Sequence, residues 1–256
     1  VRIALVAALL LTGCSGDASP PPTPSPSGGA GPLPRLLVVT HTTGFRHGSI
    51  PVAEATLAEL GRATGAFDVD YCRTAADVRR LLTADGLVPY RAVFFANTTG
   101  DLGIPDMAAF LGWIGGGRAF LGAHSASDTY HEDPRFLEML GNEFETHGDQ
   151  AEVDIVVDDR AHPATSSLGA RLRVFDEIYR FRENNRGRVG MLLSLDRYPQ
   201  DGLARAGEPG DLPIAWQKSH GSGRVFYTAL GHRDEVWQDA RFRQHLSGAI
   251  LWALGR

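Results

Sequence analysis

From residue 35 onward, apolar positions switch between a strand-like and a helix-like rhythm. Arg35–His41 (RLLVVTH) is an apolar, partly β-branched run, as expected of a strand buried on both faces. Ser49 and Pro51 then suit the start of a helix, with Ala53, Leu57 and Leu60 on one face and Gly61 and Gly65 bracketing its end. Phe67–Cys72 alternates as a short strand. Ala75–Leu82 reads as a short helix with Val78, Leu81 and Leu82 apolar. Ala92–Asn97 is another buried strand, and Ile104–Ile114 is helical up to the stop Gly115-Gly116-Gly117. Ala119–Ala123 is a fourth strand. The order β-α-β-α-β-α-β predicts a parallel sheet covered on both faces.

The second half is richer in strands. Val153–Val157, Arg173–Phe175, Val189–Leu195, Pro213–Lys218 and Arg224–Leu230 fit that pattern. Trp237–Leu254 reads as one closing helix with Phe242, Leu246, Ile250 and Leu251 on a stripe. Residues 198–212 are a loop by composition. No internal repeat is visible. The expectation is one α/β domain over residues 35–256, an open sheet extended by antiparallel strands. Functional loops in such sheets lie beyond the carboxyl ends of the strands.

Composition narrows the class. The 256 residues are 43% hydrophobic and 21% charged with a net charge of −5, the profile of a folded globular chain. A mild acidic excess argues against a nucleic-acid partner, which usually calls for a basic stripe. Two cysteines cannot build a disulfide framework. Lys218 is the only lysine among 25 basic residues, which reads as compositional bias and carries no functional weight.

The N-terminus has a different character. Residues 3–11 (IALVAALLL), behind Arg2, are too short for a membrane span but suit a signal-peptide core. The run ends in Leu11-Thr12-Gly13-Cys14, which resembles the lipobox of bacterial lipoproteins. The resemblance implies acylation of Cys14 and a lipid-anchored protein on the extracytoplasmic side of a cell membrane. The alternative is an ordinary secretory signal with a chance cysteine. Residues 15–34 contain seven Pro and four Gly, a semi-extended linker.

Polar residues gather where the predicted strands end. The first strand runs into His41-Thr42-Thr43-Gly44-Phe45-Arg46-His47-Gly48-Ser49, the third into Asn97-Thr98-Thr99-Gly100-Asp101, and the fourth into His124-Ser125-Ala126-Ser127-Asp128-Thr129. Asp176-Glu177-Ile178-Tyr179 and Gly231-His232-Arg233 lie in the second half. Of nine histidines, six (41, 47, 124, 131, 147 and 232) lie in or just after such segments. Gly122-Ala123-His124-Ser125-Ala126 has the form of a nucleophile elbow with His in place of Ser or Cys. That argues against an acyl-enzyme and makes His124 a candidate neutral base or metal ligand; a histidine that only bonds the turn is the plainer alternative. Cys72 reads as a buried inert thiol. Ser125 and Ser127 read as turn residues, although either could be a nucleophile. Arg171–Arg188, with six Arg, reads as a solvated strand pair. No local metal-binding spacing is present, so a metal site rests on tertiary convergence.

At these motifs the chain resembles the ThuA-like family, named for trehalose utilisation. The matching pieces are HTTGFRHGSIP (41–51), ANTTGD (96–101), GGGRAFLGAHSASDTYH (115–131), AHPAT (161–165), DEIYRF (176–181), PIAW (213–216) and GRVFYTALGHRDE (223–235), in the family's order. The resemblance implies a class I glutamine amidotransferase-like, flavodoxin-like fold without the amidotransferase cysteine, whose place His124 takes. It implies action on sugar derivatives such as 3-keto disaccharides, by proton abstraction leading to cleavage or isomerisation. A divalent metal held by His, Asp and Glu residues brought together in the fold is a candidate cofactor. On this reading His124 is base or ligand, Asp128 its orienter and Glu177 a second acid/base. His41, Arg46, His47, Asn97 and His232 line the pocket. The alternative is a non-catalytic carbohydrate-binding lipoprotein, for which Phe45, Tyr130, Tyr179 and Trp237 would be stacking platforms.

Overall fold

The sheet begins with β1 (Arg35–Val39), flanked by β2 (Asp68–Cys72) and β3 (Tyr90–Ala96), both parallel to it. This computed structural model describes residues 31–199 and 212–256, together with Val1. The leader, the lipobox Cys14, most of the linker and loop residues 200–211 lie outside the described residues. β4 (Ala119–Ala123) pairs parallel to β3, and β11 (Gly223–Thr228) parallel to β4. Beyond β11 the pairing turns antiparallel through β10 (Leu212–His220), β9 (Gly190–Leu195), β6 (Ala151–Val157) and β7 (Arg171–Asp176). The order is β2-β1-β3-β4-β11-β10-β9-β6-β7, with β5 (Phe144–His147) and β8 (Tyr179–Phe181) forming a separate antiparallel pair. This is the expected open α/β sheet with an antiparallel extension.

Alternation along the strands feeds two cores. Leu36, Val38, Phe94, Leu121 and Phe226 meet α1 (Ile50–Thr64) and α6 (Ala240–Leu254) on one face. Leu37, Val39, Phe95, Phe120 and Val225 meet α2 (Ala75–Leu81), α3 (Met107–Gly115) and α4 (Pro134–Leu140) on the other. A strand buried on both sides has no polar face to show, hence the continuous apolar runs. Among the described residues no helix is long and apolar enough to cross a membrane.

Three local expectations are corrected. The closing helix is two: α5 (Asp234–Gln238) ends before Asp239, whose carboxylate accepts from Arg241 N and caps α6. α3 starts at Met107, because Asp106 caps it at Ala109 N and the preceding Pro105 disfavours helix at Ile104. Ser49 sits at the N-cap of α1 without capping it; its hydroxyl donates to Gly231 O at 3.2 Å.

Candidate functional site

β4 ends at Ala123, and a 3₁₀ turn over His124–Asp128 follows at once, giving the strand–turn–helix elbow expected from sequence. His124 has φ +50°, a left-handed conformation that costs a non-glycine residue on the order of 1–3 kcal/mol. Small neighbours allow it: a Cβ on Gly122 would meet Ala126 Cβ at 3.0 Å and the Tyr227 ring at 3.2 Å. The strain aims a fully buried imidazole at the sheet's rim. Its Nδ1 lies 3.0 Å from Ala229 O. A carbonyl only accepts, so Nδ1 carries the hydrogen and Nε2 presents a lone pair.

Four side chains crowd that lone pair. His47 Nε2 stands 3.1 Å from it, His232 Nδ1 3.3 Å and Glu177 Oε2 3.4 Å. His232 Nδ1 is also 3.3 Å from Glu177 Oε2. The Tyr179 hydroxyl donates to His124 Nε2 at 2.9 Å. One donor atom from each of His47, His124, Glu177 and His232 lies within 4.8 Å of the others. Ligands bound tetrahedrally at 2.0–2.1 Å stand about 3.3 Å apart. The distances of His47, His232 and Glu177 from His124 Nε2, and of His232 from Glu177, fall beside that value. Three imidazoles and one carboxylate are also a donor set that a divalent transition metal takes readily. The residues present therefore fit a divalent cation, which they could coordinate together.

The electrostatics agree with that role. Burial, then the neighbouring His124 and His232, push His47 down to about 3, so it is a neutral imidazole. Burial alone would raise Glu177, but the imidazoles of His124 and His232 beside it outweigh that and hold the carboxyl well below the usual range. The bond to Glu177 raises His232. The second carboxylate oxygen, Glu177 Oε1, lies 3.2 Å from His147 Nδ1, which is also 3.0 Å from Gly148 O. Both partners accept, so Nδ1 carries a hydrogen, and Nε2 is the other nitrogen of a half-exposed ring.

The loop after β11 is held at one node. Gly231 O accepts from Trp237 Nε1 at 2.8 Å, Asn97 Nδ2 at 2.9 Å and Ser49 Oγ at 3.2 Å. Gly231 N donates to Asp176 Oδ2 at 2.8 Å. Burial raises Asp176. With φ +122° and a Cβ position 3.1 Å from the Trp237 ring, the site admits only glycine without strain. This node fixes the backbone next to His232.

The structure thus joins His47, His124, Glu177 and His232, and separates the other sequence candidates. Asp128 does not orient His124: its Oδ1 lies 2.6 Å from His131 Nε2, and Ala229 O orients His124 instead. The same turn that aims His124 inward carries Asp128 past it. His131 also bonds Glu143 at 2.6 Å, and although burial lowers it, the two carboxylates raise it overall. Asn97 is fully buried and braces Gly231 instead of lining a pocket. His41 has Arg46, Arg79 and Asp77 as its charged neighbours, and partial burial with the two arginines lowers it. Exposed Arg46 donates from Nη1 to Thr40 O at 3.2 Å. Cys72 is buried and pushed up to about 12, as expected of an inert thiol. Of the four aromatic candidates only Phe45 is exposed. His147 and Tyr179 also border the cluster; from sequence His147 stands only among the strand-end histidines and Tyr179 only as a stacking candidate.

The family model for ThuA, trehalose utilisation, matches residues 35–253. No curated protein matches the sequence. Among solved structures, a ThuA-like protein from Parabacteroides merdae superimposes with TM-score 0.70 at 20% identity, over 87% of this chain and 90% of that one. A ThuA-like protein from Bacteroides uniformis gives 0.69 at 23%, over 90% and 95%. A cytoplasmic protein from Salmonella typhimurium gives 0.59 at 14%, over 86% and 99%. At these identities the structural likeness speaks to the fold, which is consistent with the class I glutamine amidotransferase-like superfamily. The family match spans nearly all of the folded part, and the chain belongs to the ThuA (trehalose utilisation) family.

Proposed function

We propose that the domain is a carbohydrate-processing enzyme acting on oxidised sugars such as 3-keto disaccharides, with His47, His124, Glu177 and His232 holding a divalent metal. The observation that carries this reading is the convergence of four metal-type donor atoms within 4.8 Å at the strand ends of a ThuA-family sheet. A bound divalent cation supplies positive charge for an oxyanion developing on the substrate carbonyl.

This chain's own residues supply the proton chemistry. A 3-keto sugar has an acidified C–H at C2, and C1, one carbon further, bears the glycosidic oxygen. Removing the C2 proton yields an enolate, which either expels the C1 oxygen and cleaves the disaccharide or is reprotonated to an isomer. His124 has its Nδ1 hydrogen bound to Ala229 O and its Nε2 inside the ligand set, so the proton acceptor lies elsewhere. His147 Nε2 suits it: Glu177 orients the ring from behind and steadies the imidazolium that forms. His232, partly exposed, is the most solvent-accessible of the four.

The leader motif supports a place for this activity outside the cytoplasm, on a membrane to which Cys14 is lipid-anchored, with residues 15–34 as spacer. Incubating the purified chain with 3-keto-trehalose and 3-keto-maltose tests the reading. Monosaccharide release or isomerisation that stops with chelator is expected. Binding without turnover under every metal condition would leave the non-catalytic sugar-binding alternative.

A further inference from the structure

The tripeptide Thr-Thr-Gly occurs twice, at 42–44 after β1 and at 98–100 after β3, and the two copies are zipped together. Thr43 N and Gly44 N both donate to Thr99 O, at 3.1 and 3.4 Å. Thr99 N donates to Thr42 Oγ1 at 3.1 Å, and the two hydroxyls bond each other. Thr43 Oγ1 donates to Asp101 O at 2.9 Å. Each glycine packs against the other copy's threonine: a Cβ on Gly44 would meet Thr99 Oγ1 at 2.8 Å, and one on Gly100 would strike Thr43 Oγ1.

The zipper ends at Phe45, whose carbonyl accepts from Thr99 Oγ1 at 2.9 Å. The backbone there is pinned, yet the ring is 67% exposed. It stands edge-on to His47, ring centroids 4.9 Å apart, and His47 Nε2 belongs to the ligand set. Tyr130, Tyr179 and Trp237 are buried, which leaves Phe45 as the exposed one of the four aromatic candidates. A single exposed aromatic is unremarkable by itself. A ring on a pinned backbone, one ring away from four metal-type donors, is a surface whose backbone needs no further ordering when a ligand arrives.

We infer that Phe45 is the sugar-stacking platform of the site, covering the C–H face of one pyranose ring while the other ring reaches the cluster. This rests on the function proposed above and makes the substrate an oligosaccharide of at least two rings. The axial C–H bonds of a pyranose present a weakly positive apolar face, which suits the negative face of a benzene ring.

The test uses unoxidised trehalose and maltose as non-reacting probes, titrated into the zinc-loaded full chain by NMR. Wild type should bind and shift the C–H signals of one sugar ring upfield through the aromatic ring current. Phe45→Ala should weaken binding about tenfold and abolish the shift, while bound zinc per chain is retained. Phe45→Trp should restore both, and Phe45→Leu should restore neither. Equal affinity and shift in Phe45→Ala and wild type would overturn the platform and leave the enzyme reading standing. No binding of trehalose, maltose or their 3-keto forms by wild type would overturn both.

Discussion

The Nε2 atoms of His47 and His124, 77 residues apart in sequence, face each other across 3.1 Å. His124 has its hydrogen on the opposite nitrogen, bound to Ala229 O. His47 has its opposite nitrogen 3.3 Å from Ser125 Oγ. With Glu177 Oε2 and His232 Nδ1 beside them, four donor atoms converge on one space, which is the arrangement a cation calls for.

His147 should separate chemistry from metal holding. His147→Ala should lower kcat on a 3-keto disaccharide by about 10²–10⁴, the usual worth of a general base. Metal content at saturating zinc should stay near that of wild type, because among the four cluster side chains His147 bonds only the outer oxygen of Glu177. Elemental analysis beside steady-state kinetics reads both; unchanged kcat would return the base role to another group.

Asp128 should be dispensable for the cluster. Its carboxylate bonds His131 and not His124. Asp128→Asn should therefore leave zinc affinity within about twofold of wild type, well short of the 10–100-fold loss typical of a group that orients a ligand. A loss in that range, measured by competition with a chromophoric chelator, would restore Asp128 as the orienter.

Gly231 carries the backbone beside His232 in a conformation closed to other residues. Gly231→Ala should destabilise the fold by roughly 1–3 kcal/mol from the dihedral alone. The melting temperature should fall by several degrees, at about 2–4 °C per kcal/mol for a domain of this size. Metal affinity should fall with it, since the added methyl displaces Trp237 or the loop.

Acid should weaken the fold through His245, on the far side of the sheet from α4. Complete burial pushes it down to about 4 from 6.5. The unfolded chain binds a proton there first, so stability falls as pH drops from about 6.5 to about 4 and levels off below. The shift corresponds to on the order of 3 kcal/mol. His245→Gln should flatten that part of the urea midpoint against pH; an unchanged slope would assign the effect elsewhere.

Much of the fold is legible because strands buried on both faces leave unbroken apolar runs, as in Arg35–Val39 and Tyr90–Ala96. What was lost is local and short. β5 and β8 are too brief for a period, and their pairing of Phe144 with Phe181 is set by tertiary contact. The split at Asp239 overrides the apolar stripe from Trp237 to Phe242, although an Asp followed by Ala-Arg is a readable cap. In the site, His47 and His124 could be placed because both follow strands of the parallel half. Asp128 misled because nearness in sequence to His124 suggested a pair, whereas the 3₁₀ turn sends the two side chains to different neighbours. His147 stood out only as one of six strand-end histidines, since its contact with the cluster depends on where Glu177 directs its second oxygen.

The central claim is the cation site, and zinc titration of the metal-stripped chain tests it most directly. Wild type should take up about one equivalent per chain, while His124→Ala and His232→Ala each bind at least a hundredfold more weakly. Less than a tenth of an equivalent bound by wild type at saturating zinc, cobalt, nickel, manganese or iron would contradict it, as would uptake unchanged by either substitution.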